Sequence, residues 1–182
     1  MERNIAQIAL FAAMIAALGL VPQITLGFGV PITAQTLGVM LAGAVLGARG
    51  GAAAAGLFLL LVALGLPLLS GGRGGLGAFA APTGGFALGF PVAAFATGLF
   101  VEHVRLRSAG LAAGLGAAFG GIAILYVMGA AGLALASGKS LGQAFLLVAV
   151  FIPGDLLKAA ITGLLVQALA KLRPQTLAWH RA

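Results

Sequence analysis

Asp155 and Lys158 stand three residues apart inside the last apolar stretch of the chain. In a helix that spacing puts both side chains on one face. Each would cost about 2.5–3.5 kcal/mol at the middle of a lone inserted helix, so charged groups at such depth pair with one another or face a polar cavity. One reading is a mutually neutralising pair, or an Asp155 near enough to the surface to reach it. The other is a binding site, in which a carboxylate accepts and an ammonium donates. That combination suits a neutral ligand carrying N–H groups and a carbonyl, and a cyclic urea is such a ligand. Pro153 and Gly154, just before the pair, are expected to break the helix and leave Asp155 to cap the segment that follows.

Other chemistries find less support. A proton relay uses a series of acids or histidines through the membrane, and only one acid lies at depth here. A Schiff base on Lys158 with Asp155 as counter-ion would need an aromatic retinal pocket, which one Trp and one Tyr supply poorly. Glu2, Glu102, His103, Asp155 and His180 fall on different segments, mostly at their ends, and no cysteine is present, so no metal site, thiolate nucleophile or disulfide is expected. Gly72, Gly74 and Gly77 match a dinucleotide fingerprint in letters only, because no strand precedes them and no acid follows about 20 residues later. Gly138-Lys139-Ser140 ends like a Walker loop but lacks its first glycine, with Leu133 in that place. The chain is read as no enzyme, with no cofactor.

The elements that must position the pair are membrane helices. Of the 182 residues, 62% are hydrophobic and 7% charged, and mean hydropathy is +1.17. Such a composition belongs in a bilayer, where a spanning helix needs about 20 apolar residues. Six apolar segments are marked off by charges, Pro and Gly, at about 5–21, 33–48, 51–66, 85–101, 109–136 and 142–172. They predict an all-α bundle of six transmembrane helices forming a single domain over residues 1–182. Residues 47–51 should form a tight turn between the second and third. The last segment, about 46 Å if wholly helical, should tilt, protrude or break at Pro153-Gly154. The N-terminal segment reads as a retained helix rather than a signal peptide.

Six spans sort the net charge of +7. Arg3, Arg49, Arg105, Arg107, Lys171, Arg173 and Arg181 share the side of both termini, with Arg73 and Lys139 opposite, so the termini are expected in the cytoplasm. This dispersed charge, without a basic aromatic face, does not describe a nucleic-acid surface. Small residues recur at four-residue spacing in Ala9, Ala13, Ala17, in Gly43, Gly47, in Gly110, Gly114 and in Gly116, Gly120, and such stripes allow close helix approach within the bundle or to a partner protein. On the external side, residues 22–32 and 67–84 are Gly/Pro-rich yet apolar, which marks them as lids rather than solvated linkers.

Four stretches in order, Val30–Val39, Gly71–Gly77, Ala81–Phe86 and Ile152–Lys158, resemble the BioY family, the biotin-specific S components of energy-coupling-factor transporters. The resemblance covers nearly the whole chain. It implies a multi-pass protein of a bacterial plasma membrane that captures biotin from outside, under lids formed by the loops after helix 1 and between helices 3 and 4. Asp155 would accept from the ureido N–H groups and Lys158 would donate to the ligand. Arg73, the only strong cation in the external lids, is assigned to the ligand carboxylate. Gln35, Thr36, Thr83, Gly84 and Gly85 either line the pocket or cap helices and turns. Ala34 and Phe86 depart from the commoner Leu and Tyr, and Phe86 can keep a packing contact to the thiophane ring but no phenolic bond. The resemblance further implies a transmembrane coupling subunit and two cytoplasmic ATPases as partners, docked through Ala9, Ala13 and Ala17, and leaves self-association open. A self-sufficient secondary transporter or channel for another small solute is the alternative from a different class.

Overall fold

The computed structural model describes residues 2–25, 30–104 and 106–181, so Arg105 and the middle of the first lid, residues 26–29, lie outside the described residues. Of Arg3 and Arg181 the backbone alone is described. Six helices account for most of the chain. The first, α1, is Glu2–Leu18, and after it Ile24–Thr25 and Pro31–Ile32 form a two-residue antiparallel ladder with Ile24 opposite Ile32. The helical run Gln35–Ala63 is interrupted at Gly47 (φ 75°, ψ −176°), giving α2 (35–46) and α3 (48–63). Then come α4 (Gly84–His103), α5 (Ala109–Ser137) and α6 (Leu141–Leu172).

Gly47 alone makes the reversal, a tighter turn than the five residues the sequence suggests. A Cβ on Gly51 would lie 2.6 Å from the Cα of Gly43, whereas eight residues of straight helix separate such atoms by about 12 Å. Helices α2 and α3 are therefore an antiparallel hairpin. Its exposed backbone groups have named partners: the Ala48 N–H donates to Glu102 Oε1 (2.8 Å), and the Trp179 indole N–H donates to the Ala44 carbonyl (2.8 Å). The orphan groups at both helix ends are thus met by side chains from α4 and the C-terminal tail.

The bundle is arranged around α2, in which every residue from Gly38 to Leu46 is buried. Helix α4 lies along it, and the crossing of α4 with α5 brings Gly85 onto Gly132 backbone to backbone. Large side chains point outward instead: Leu88, Val92, Phe95 and Leu99 on α4, then Leu111, Leu115 and Phe119 on α5, are all exposed. An apolar belt on that scale is a lipid-facing surface. At about 18 Å, α2 is shorter than the ~30 Å hydrocarbon core.

Two helices depart from α-geometry. In α5, residues Phe119–Ile124 are π-helical where Gly120 meets Ala93 and Thr97 of α4. In α6, Ala149–Phe151 is a 3₁₀ turn and the α-helix resumes at Ile152. Pro153 has no N–H for the Ala149 carbonyl, which the Ile152 N–H takes one residue earlier. The break expected at Pro153-Gly154 therefore falls just before it, and Pro153 sits in the first turn, where the ring is tolerated. Asp155 does not cap this helix: Phe151 holds the N-cap position without a side-chain bond, and the carboxylate is engaged elsewhere.

The two rejected motifs are turns. Gly138 (φ 64°) ends the helical part of α5 and Ser140 starts α6 in a capping box with Gln143. Gly71 and Gly72 (φ 80° and 69°) turn the chain between Leu69 and Arg73, whose backbones exchange hydrogen bonds.

Candidate functional site

At the end of the bundle where α2 and α4 begin, the two loops and the break in α6 enclose a cavity. Its empty volume, including the part open to solvent, is about 620 Å³. Val30–Thr33 and the Leu69–Arg73 turn form its rim, Gln35 and Thr36 start α2 inside it, Phe86 and Phe90 come from α4, and Phe151, Asp155 and Lys158 from α6.

Asp155 is 4% exposed and its carboxylate accepts from three side chains. Lys158 Nζ (2.7 Å) and Thr36 Oγ1 (3.2 Å) donate to Oδ1, and the Tyr126 hydroxyl (2.7 Å) donates to Oδ2. Lys158 Nζ also donates to Thr36 Oγ1 (2.8 Å) and to the Thr33 carbonyl (2.7 Å). The broken α6 makes this arrangement: because the helix restarts at Ile152, Asp155 lies in its first turn, where the helix dipole favours a negative charge, and Lys158 follows one turn on. The two charges neutralise one another, and both residues line the cavity.

Next to the pair is an aromatic wall. Phe86 stands edge-on to both Tyr126 (6.4 Å, 74°) and Phe151 (6.2 Å, 86°), and its ring rests on the backbone of Gly129. Edge-to-face packing of this kind fixes ring orientation. Arg73 is presented by the glycine turn. Its Nε donates to the Ser70 carbonyl (3.2 Å) and its Nη1 to Thr83 Oγ1 (2.9 Å), and among the described residues no carboxylate lies within ion-pair distance of it. The guanidinium is held at the rim by these two bonds.

Seven of the residues singled out from the sequence line this cavity: Asp155, Lys158, Arg73, Gln35, Thr36, Thr83 and Phe86. Gln35 is fully occupied as a clip, donating to the carbonyls of Ile15 (3.1 Å) and Leu68 (3.0 Å) and accepting from the Ser70 N–H (3.0 Å). Gly84 and Gly85 stand outside the lining. A Cβ on Gly84 would strike the Phe79 carbonyl and one on Gly85 the α5 backbone, so both are needed for close approach. Ala9, Ala13 and Ala17 are exposed on α1, whose opposite face buries Ala12 and Ile15 against the bundle. The other small-residue stripes pack internally.

Tyr126 was not among the sequence candidates. The available signal was its uniqueness: a lone tyrosine in an apolar span needs a partner for its hydroxyl. Ser70 and the Thr33 carbonyl were also missed.

The BioY family model matches residues 2–175. A protein of Rhodobacter capsulatus named biotin transporter BioY is 54% identical over 97% of this chain and 98% of its own length. A probable biotin transporter BioY of Bacillus subtilis is 41% identical over 87% and 85%. Among solved structures, the S-component for biotin from an ECF-type ABC transporter superposes with a TM-score of 0.86 at 33% identity, covering 93% of this chain and 91% of the other. With the family model spanning almost every residue and half-identical relatives aligned end to end, the chain belongs to the BioY family.

Proposed function

We propose that this chain captures biotin at the external face of a bacterial plasma membrane, as the S component of an ATP-driven transporter. The observation that carries the reading is the Asp155–Lys158 pair lining a lidded, largely apolar cavity, in a chain whose relatives are named for biotin. A carboxylate has about four acceptor positions, and Asp155 uses three, which leaves one on Oδ2 for a ureido N–H. All three Lys158 N–H groups are engaged, so the ureido carbonyl enters by exchange with one of them, and Thr36 Oγ1 is the neutral side-chain partner that can turn away. Phe86, Phe90 and Phe151 supply apolar area for the bicyclic ring, and Arg73 meets the valerate carboxylate at the rim.

Arg49, Arg107, Lys171 and Arg173 lie at the end of the bundle away from the cavity, and by the positive-inside rule that end faces the cytoplasm. The cavity then opens outward. Energy would come from a transmembrane coupling subunit and two ATPases, with the exposed Ala9, Ala13 and Ala17 stripe allowing close helix approach.

The test is a thermal-shift screen of vitamins against the detergent-purified chain. A ligand at a hundred times its dissociation constant adds about 2.7 kcal/mol to stability. Biotin alone should do so, and stabilisation by a different vitamin with none by biotin overturns the proposal.

A further inference from the structure

A second concavity lies on the opposite half of the bundle, between α5 and α6. Its empty volume, including the part open to solvent, is about 960 Å³, and its lining runs from the N-cap Ser108 along α5 to Ala118 and along α6 from Gln167 to Leu156. The helices touch where Gly110 meets Gly163, and small residues on either side keep the seam hollow. Exposed leucines flank it: Leu111 (63%), Leu115 (53%), Leu156 (51%) and Leu164 (72%).

Length and ends say what fits. The lining covers ten residues of α5, about 15 Å, or half of a ~30 Å hydrocarbon core. It stops at the π-helical segment beginning at Phe119 on one side and near the start of the resumed α-helix of α6 on the other. A partner transmembrane helix would need the full depth, whereas one acyl chain from one leaflet needs half. The interfacial end is polar, because Gln167 Oε1 accepts from the Ser108 hydroxyl (2.8 Å) and the Gly110 N–H (2.8 Å). It is also basic. Arg107 immediately precedes Ser108, and Lys171 continues the four-residue row Ala159, Gly163, Gln167 on one face of α6, both cations being exposed.

We propose that the α5–α6 groove holds one acyl chain of an anionic phospholipid from the leaflet on the basic side, with Arg107 and Lys171 meeting its phosphate. The inference does not depend on biotin binding. Native mass spectrometry tests it, on protein delipidated in mild detergent and offered equal amounts of phosphatidylglycerol and phosphatidylcholine with identical chains. Two interfacial cations, each worth roughly fivefold, should together give about 25-fold greater retention of phosphatidylglycerol. In R107Q/K171Q that preference should fall to near parity. Ala160→Phe, which fills the groove from an exposed position, should reduce retention of both lipids. The thermal unfolding midpoint of each variant verifies its fold, and the exposed charge pair stays informative if the Phe variant does not fold. Parity in the wild-type chain, an unchanged preference in R107Q/K171Q, or a folded Ala160→Phe that retains lipid would each overturn the proposal. So would a dimer that Ala160→Phe converts to monomer without lipid loss, since the groove would then belong to a second copy.

Discussion

Replacing Asp155 by Asn separates binding from simple neutralisation. In the wild-type site the carboxylate receives Lys158, Thr36 and Tyr126 and is 4% exposed. Asparagine keeps one acceptor oxygen and turns an NH₂ toward groups that themselves donate, so at least one donor is orphaned. The Lys158 ammonium, with its side chain 16% exposed, would then have neutral partners alone, the Thr33 carbonyl, the Thr36 hydroxyl and at most the new amide oxygen. Removing one member of a buried pair costs about 3–5 kcal/mol, and the two surviving lysine bonds place this case near the lower figure. Loss of a charge-assisted bond to the ureido group removes about 1.5–3 kcal/mol of affinity, or roughly 10- to 150-fold in Kd. The double variant D155N/K158M removes both charges. Its stability should return to within about 1 kcal/mol of wild type, because pairs replaced together are nearly neutral, while affinity stays lost. Equilibrium unfolding in mixed micelles and biotin titration calorimetry measure the two quantities on the same samples. A double variant that binds biotin within threefold of wild type would show that the pair serves only to cancel charge, and the site assignment would fall.

Tyr126→Phe should weaken biotin about fivefold, from one hydrogen bond of about 1 kcal/mol that no longer orients the carboxylate, as read by the same titration. Arg73→Ala should lose biotin selectively while the carboxamide analogue is held nearly as before, and equal losses for both would remove the carboxylate contact. Gly98→Ala sets a methyl against the backbone at Gly47 and Ala48, so thermal unfolding in detergent should show a loss of about 1–3 kcal/mol with biotin affinity unchanged in the folded fraction. Ala13→Trp, on the exposed face of α1, should leave biotin binding intact and abolish uptake by the complete transporter in cells.

The six helices were legible because the bilayer allows few solutions: each apolar run had to satisfy its own backbone, and the ends lie within about three residues of the charge and glycine boundaries. The pairing of Asp155 with Lys158 on α6 was legible for the same reason, since such charges are too costly at depth to stand unpaired. What spacing along the chain does not show is who meets them. Tyr126 is 29 residues from Asp155, and Thr33 and Thr36 are more than 120 from Lys158, contacts that exist only because α2 and α5 pack beside α6. Gly84 and Gly85 read equally as pocket lining or as caps because glycine at a helix start fits either purpose; the Phe79 carbonyl pressed on Gly84 and the α4–α5 crossing at Gly85 are not visible in the chain order. The position of the break in α6 was misplaced because the missing N–H of Pro153 is felt at the carbonyl four residues back, not at the proline itself.

One buried amide joins three parts of the chain that the sequence keeps far apart. Gln35 fastens the last turn of α1, the first residue of α2 and the strap that carries Arg73, all with bonds of 3.0–3.1 Å. A displacement of that strap that keeps these bonds is transmitted to α1, whose opposite face carries the exposed row Ala9, Ala13 and Ala17.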